Sequence, residues 1–353
     1  MRIRRWATVS VVAAAVAASC GTVTQAGAST SRPAAPHSAQ QRASLPGWAI
    51  GPFHRYAGNP IMTPPVNPTD KNNWRWPETF NPSVVVVHGV YHMLYRGAAS
   101  GNFSSIGAAT SHDGHHFKQA KNNPVIRRDL PTETHGVEDP RMYYQHGRYY
   151  AFFTGYDGTN IGLNEAVSKD ARHWRQIGRI IPDTKNAAVI ADPQGRPVKI
   201  NGHFVMYYGQ TGNGAHLATS TDLMHWHTSA NVNPHFPKSY EPWELCVAVT
   251  DYPNAHGKTS KNVVLFVAGQ LMGRGRWFYA VSEIMFHRGH LTAPAAQLHH
   301  AVLRPQAPYE IYGYTPHTVF MNNILLHNGK WMMYYGAGDS VIALATAPTR
   351  RAS

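Results

Sequence analysis

The densest group of ionisable side chains in the chain is His135-Gly136-Val137-Glu138-Asp139-Pro140-Arg141. It heads an aromatic run, Met142-Tyr143-Tyr144-Gln145-His146-Gly147-Arg148-Tyr149-Tyr150. A buried carboxylate is costly unless it is paired or hydrogen-bonded, so such a group is either an ion-pair staple or a working site. The chemistry it fits is acid–base cleavage of a glycosidic bond. One carboxylic acid protonates the departing oxygen, and a second carboxylate across a gap activates water. The acid needs a raised pKa, and a neighbouring carboxylate raises it by repulsion, as Glu138 would for Asp139. Neighbours on an extended strand point to opposite sides, so only one of the two is expected to face a cavity. Arg141 shares the side of Asp139, where it would pair with that carboxylate or grip a substrate oxygen.

The elements that must position this group repeat along the chain. A unit starts with an acidic or amide residue, or a variant of it, followed by proline. A strand follows, then a His-Gly or Asn-Gly turn, an aromatic strand, a strand of small residues and a Ser/Asp turn. Asn81-Pro82, Asp139-Pro140, Asp192-Pro193, Glu241-Pro242 and Thr315-Pro316 open the copies. The steps between their prolines are 58, 53, 49 and 74 residues. Each unit carries about four short strands with hairpin signals, and no long apolar stretch has helical period. Repeats of this kind predict an all-β, five-bladed β-propeller over residues 48–350. A β-sandwich with chance similarity between strands is the competing architecture.

In a propeller the first strand of each blade lines a central channel. The repeat phase therefore gathers Asn81, Glu138, Asp139, Arg141, Asp192, Arg196, Glu241 and Glu244 at one mouth. Asp139 is the candidate acid, and Glu244 or Glu241 the candidate base. Trp74, Trp76, Tyr95, Tyr156, Trp243 and Tyr314 are candidates to stack on sugar rings or to pack between blades. Trp174 and Trp226 recur at one phase and read as packing residues. Calcium held by Asp192, Asp339 or carbonyls is conceivable, but no ligand spacing demands it, and no metal or other cofactor is expected.

The remainder of the chain sets the context. Met1-Arg2-Ile3-Arg4-Arg5 is basic, the next stretch to Ala18 is apolar, and Ala26-Gly27-Ala28 fits a signal-peptidase site. Residues 1–28 read as a secretory signal peptide, too short for a membrane span. A lipoprotein-type cut before Cys20 is the alternative. Residues 29–47 read as a disordered linker. Two cysteines, Cys20 and Cys246, leave only one after cleavage and no internal disulfide. The net charge of +13 is not concentrated in a run, which argues against nucleic acid as a partner. An oligo- or polysaccharide is the expected partner.

Several motifs resemble glycoside hydrolase family 130. They are Asn81-Pro82, Tyr91-His92-Met93-Leu94-Tyr95-Arg96, Ile106-Gly107-Ala108-Ala109-Thr110-Ser111-His112-Asp113-Gly114, Gly136-Val137-Glu138-Asp139-Pro140-Arg141 and Tyr334-Tyr335-Gly336-Ala337-Gly338-Asp339-Ser340. The resemblance spans about residues 55–347. It implies a five-bladed fold acting on β-mannosides by phosphorolysis or hydrolysis, with Asp139 protonating the glycosidic oxygen, partly through a sugar hydroxyl. Arg96 and Asp339, within these motifs, join the substrate-binding set. The family's phosphate-binding Phe-Pro-Glu-Lys and His-Arg are replaced by Arg196-Pro197-Val198-Lys199 and Tyr207-Tyr208-Gly209-Gln210, which keep Lys199 but lose the His-Arg pair. That loss, together with export, favours a hydrolase over a phosphorylase. A non-catalytic glycan-binding propeller is the third reading.

Overall fold

The computed structural model describes residues 45–66, 73–210, 214–232, 240–254, 256–273 and 276–349. The signal segment and the linker up to Ser44 lie outside the described residues. So do the side chains of Glu241 and Trp243, whose backbone is described within a strand.

Among the described residues, twenty strands group into five antiparallel meanders of four, with a short strand Lys199–Ile200 and a small hairpin, Tyr252–Pro253 with Thr259–Ser260, outside them. The first comprises Pro77–Val87, Val90–Ala99, Phe103–Ser111 and Lys118–Gln119. The second comprises Gly136–Gln145, Arg148–Tyr156, Ile161–Ser168 and Trp174–Pro182. Ala187–Ala191, His203–Gln210, Gly214–Ser220 and His227–Val232 form the third. Tyr240–Val249, Val263–Gly273, Arg276–His287 and His290–Gln297 form the fourth. The fifth joins Val319–His327, Lys330–Ala337 and Val341–Pro348 to His54–Arg55, which pairs His54 with Thr346 and Arg55 with Ala345. Both ends of the described chain thus contribute to one sheet.

Local chemistry explains the hairpins. His88-Gly89, His146-Gly147, Asn201-Gly202 and Asn328-Gly329 all have positive φ at both positions. Such turns match the right-handed twist of the strands they join, and glycine removes the steric penalty at the second position. The Ser/Asp turns are equally regular. In Ser111–His116, Ser168–His173 and Ser220–His225 the aspartate Oδ1 accepts two backbone N–H groups, and its Oδ2 lies 2.8 Å from a histidine Nδ1. The core lies between adjacent meanders. Trp174 packs against the Val137–Phe153 cluster and Trp226 against the Phe152–Met206 cluster, as expected of packing residues.

One bulge recurs in four of the five leading strands. An extra residue interrupts pairing between Phe80 and Ser83, Glu138 and Arg141, Pro242 and Glu244, and Met321 and Asn323. Asn81 and Asp139, at the first two bulges, take left-handed backbone conformations (φ 48° and 54°). Asn and Asp tolerate that region better than other non-glycine residues. A bulge re-aims side chains and lifts the strict alternation of a strand. The expectation that Glu138 and Asp139 must point to opposite sides therefore fails.

Glu165, on the third strand of the second meander, is fully buried, and neither carboxylate oxygen has a hydrogen-bond partner. Burial, reinforced by Asp222, pushes it up to about 9 from 4.5. A carboxyl raised on folding stabilises at acid pH, and that contribution is lost as pH rises toward the folded value. Glu165→Met is expected to raise the melting temperature, by a gain that grows between about pH 5 and about pH 9. Thermal melts across that range check it.

Candidate active site

The recurrent bulges bring the polar residues together. On the first meander, Phe80 pairs with Arg96 and Glu78 with Ala98, so Glu78 and Arg96 share a face of the sheet. The Arg96 guanidinium stacks over the Phe80 ring at 4.8 Å. Its Nη1 donates to Asp139 Oδ1 (3.0 Å) and its Nη2 to Glu138 Oε1 (2.9 Å). Ser104 Oγ accepts from its Nε at 2.8 Å, which fixes the plane of the fork. Asn81 Nδ2 donates a further 2.6 Å bond to Asp139 Oδ1. A Cβ on Gly136 would stand 2.9 Å from Glu138 Oε1, so glycine there leaves room for that carboxylate.

The partner of Asp139 is thus Arg96, where Arg141 was expected. Arg141 is 2% exposed and ties strands across the channel. Its Nε donates to the Cys246 carbonyl (3.1 Å), its Nη2 to Glu244 Oε1, and its Nη1 to the Asp139 carbonyl (3.2 Å). With the Asn322 amide turned to donate to the Phe320 carbonyl, its oxygen accepts from Arg141 Nη1 at 2.6 Å. Three leading strands are joined by one guanidinium.

Electrostatics separate the carboxyls. Burial pushes Asp139 up, but Arg96, then Lys185 and Arg141, outweigh it and hold it below the usual carboxylate range. The expected raised value at Asp139 is not found, because the cations outweigh the effect of burial. Burial, opposed by Arg96, pushes Glu138 up. Burial also raises Glu244 against the pull of Arg141. Glu78 is pushed up to about 7 by burial, with Arg96 opposing and Asp339 adding. Asp339 is pushed up to about 6 by burial, with Thr315 and Arg96 opposing. Asp339 Oδ1 is buried without a hydrogen-bond partner. The Thr79 N–H donates to the Ser340 carbonyl (3.1 Å), which holds the first leading strand against the hairpin that carries Asp339.

Tyr314 is 61% exposed on the segment after a short helix, Pro308–Ile311, and its N–H donates to Ser340 Oγ at 2.9 Å. That helix is anchored by Glu310, which accepts from Arg55 Nε (2.7 Å) and from the Tyr335 hydroxyl (2.8 Å). Tyr156 stacks edge-on against His135, 4.9 Å between centroids. Trp74 and Tyr95 are occupied with one another, 5.7 Å apart.

Asp192 and Arg196 do not join the site. Tyr143 hydroxyl donates to the Ala187 carbonyl (3.1 Å) and accepts from the Val189 N–H (2.9 Å), which sets the third leading strand beside the middle of the second. Asp192 therefore follows the far end of its strand, where it lines one small cavity with Arg141, Asn322 and Asn323. The Leu326 N–H, near the end of the fifth leading strand, donates to the Pro193 carbonyl. There Asp192 Oδ1 accepts from the Arg196 N–H (3.0 Å) and Oδ2 from Arg196 Nε (2.7 Å), a turn whose arginine side chain is 61% exposed. Lys199 sits at that far end too, over the Phe204 ring. The third meander contributes Lys185 instead, just before its leading strand, with field effects on Glu138, Asp139 and Glu244. Lys185 and Glu78 lie outside every repeat signature, so nothing in the sequence pattern marks them.

A family model described as beta-1,4-mannooligosaccharide phosphorylase, glycoside hydrolase family 130, matches residues 58–352. The chain belongs to glycoside hydrolase family 130. It is an enzyme acting on glycosyl bonds. It is 26% identical over 303 residues to a 1,2-beta-oligomannan phosphorylase of Thermoanaerobacter sp. (strain X514), covering 82% of this chain and 95% of that protein. A beta-1,2-mannobiose phosphorylase of the same organism is 25% identical over 319 residues, with the same coverage. Among solved structures, a glycosyl hydrolase from Bacteroides ovatus superposes with a TM-score of 0.75 at 25% identity, covering 88% of this chain and 97% of that one. Another, with a TM-score of 0.74, 25% identity and the same coverage, comes from work on family 130 glycoside hydrolases that target beta-1,2 mannosidic linkages in Candida mannan. The all-β, curled-sheet architecture agrees with these propeller-like relatives.

Removing one partner of a buried ion pair strands the other charge. Arg141→Met is expected to cost about 3–5 kcal/mol in urea unfolding, with much of the loss recovered in the Arg141→Met/Glu244→Met double variant. Arg196→Ala is expected to cost no more than about 1 kcal/mol and to leave turnover unchanged.

Proposed function

We propose that this protein is a secreted hydrolase of β-mannosidic linkages, built as a five-bladed propeller in which the five meanders are the blades. The observation that carries hydrolysis is the charge balance around Asp139. Among the described residues, Arg96 is committed to Glu138 and Asp139, Arg141 to Glu244, and Lys185 faces all three carboxylates. Phosphate is an anion and needs cations that such a site does not spare. Water needs a carboxylate base, and Glu244 supplies one on the fourth leading strand, across from Asp139 on the second. Export, read from residues 1–28, supports the same choice, since a sugar phosphate made outside the cell is of little use to it.

In this reading Asp139, held by Arg96 and Asn81, supplies the proton to the departing oxygen through a sugar hydroxyl, whose own proton passes on as it receives that of Asp139. Glu244 removes a proton from the attacking water. Asp339 Oδ1 and Asn81 Oδ1, buried without partners, take sugar hydroxyl donors. Tyr314 stands at the rim as a stacking face. Phosphorolysis is the second reading, favoured by the two curated relatives, both phosphorylases.

The experiment is product analysis from β-1,2- and β-1,4-manno-oligosaccharides with and without inorganic phosphate. Free mannose in equal yield under both conditions is expected. Mannose 1-phosphate, formed only with phosphate, would overturn hydrolysis. Asp139→Asn and Glu244→Gln are each expected to lower kcat by about 100-fold or more, as loss of a positioned proton-transfer group does. Unchanged turnover in Glu244→Gln would move the base to Glu241.

A further inference from the structure

The Ser/Asp turn of the first meander carries more donor atoms than the fold asks of it. We propose that Asp113, His115 and His116 form a binding site for a divalent transition-metal ion of the zinc class. The inference goes beyond the proposed function and does not depend on it.

The same turn occurs three times, and the copies show which part of it is structural. In each, the aspartate Oδ2 lies 2.8 Å from the Nδ1 of the histidine three residues on: Asp113 with His116, Asp170 with His173, and Asp222 with His225. That pair belongs to the turn. The residue before the histidine differs. It is Arg172 in the second copy, Met224 in the third and His115 in the first. A guanidinium has no lone pair to offer and a thioether is a weak acceptor, whereas imidazole is the commonest metal ligand among side chains. Among the described residues, this turn is where three carboxylate or imidazole side chains bring ligand atoms within 4.8 Å of one another.

The surroundings prepare each donor. Asp113 Oδ1 accepts from the Ser111 hydroxyl (2.9 Å) and from the N–H groups of His115 (3.0 Å) and His116 (2.9 Å), which leaves Oδ2 to the histidines. His115 Nδ1 lies 3.1 Å from the Asp113 carbonyl oxygen. A carbonyl only accepts, so Nδ1 carries the proton and Nε2 holds the lone pair. Histidine ligands are commonly fixed by such a bond from the other nitrogen. The His115 ring also packs on Tyr56, with centroids 4.9 Å apart. Zinc binds nitrogen and oxygen at about 2.0–2.2 Å in a tetrahedron, which sets neighbouring ligand atoms about 3.3 Å apart. Asp113 Oδ2 stands 2.8 Å from His116 Nδ1 and 3.5 Å from His115 Nε2, on either side of that spacing. The His116 side chain is 80% exposed, so water can complete the sphere. On binding, the Asp113–His116 hydrogen bond gives way to two metal bonds, and both imidazoles bind neutral, so acid weakens the site.

The turn rests on the fifth meander. The Tyr334 hydroxyl donates to the Gly114 carbonyl (2.8 Å), and the Tyr56 N–H donates to the Leu344 carbonyl (2.9 Å). A cation held here stiffens the seam where both ends of the described chain meet the first meander. Its effect is on stability, and the reaction proposed above has no need of it.

The test is calorimetric titration of the chelator-treated full chain with Zn2+ near neutral pH, beside thermal melts. The wild type is expected to take up Zn2+ and to melt higher in its presence. His115→Gln and His116→Gln are each expected to weaken uptake at least about 10-fold, the loss seen when even a group behind a ligand is removed, and to lose most of the Zn2+-dependent rise in melting temperature. Metal-free melting temperatures near that of the wild type establish that both variants fold. His173→Gln, in the equivalent turn with two donors, is expected to bind Zn2+ as the wild type does. No uptake by the wild type, unchanged uptake in His115→Gln, or an equal loss in His173→Gln would overturn the site. An equal response to Mg2+ or Ca2+, which prefer oxygen ligands, would overturn the class of ion.

Discussion

The site depends on one guanidinium shared by two adjacent carboxylates. Arg96 reaches Glu138 and Asp139 at once only because the strand carrying them bulges between Glu138 and Arg141. Without the bulge the two acids would face opposite sides of the strand. With it, they converge on one cation, and their titrations separate. Asp139, which also receives Asn81 and the fields of Lys185 and Arg141, is pulled down, while Glu138 is pushed up. Carboxyls further from the cations, Glu78 and Asp339, follow their burial and move toward neutral pH. Around one cation the carboxyls are thus shifted in different directions, a pattern that acid–base chemistry uses.

A second guanidinium makes that sorting rigid. Arg141 fastens the second leading strand to the Cys246 carbonyl and Glu244 on the fourth, and to Asn322 on the fifth. Buried charges of this kind are weak sources of stability, since desolvation offsets much of their attraction. What they contribute is geometry: three leading strands, with Asp139 and Glu244 on two of them, are held in fixed relation. Among the described residues, the same commitment ties the guanidinium of Arg141 to Glu244 and that of Arg96 to Glu138 and Asp139.

The strands and hairpins were legible because they obey short-range rules. His-Gly and Asn-Gly turns with positive φ recur where alternating strands meet, and the repeat follows from them. The Ser/Asp turns and the packing tryptophans kept their phase as well. The third copy misled, since Asp-Pro can head a bulge, as at Asp139, or a surface turn, as at Asp192. Both uses satisfy an aspartate beside a proline, and only the pairing of Tyr143 with Ala187 and Val189 tells them apart. Lys185 was missed for the complementary reason. It precedes a strand of five small residues, Ala187–Ala191, that carries no polar mark of its own.

From residue types and spacing alone follow the all-β repeat, the turn chemistry, the resemblance to family 130 and the importance of Asp139. Each of these rests on interactions between residues close in the chain. Tertiary structure alone decided which cation holds Asp139, that Arg141 ties three leading strands, that Glu78 shares a sheet face with Arg96, and that Asp192 and Arg196 close a turn beyond the end of their strand. A bulge is counted only against a partner strand, and a pKa is set by charges that arrive from other strands. Neither quantity exists until the strands are side by side.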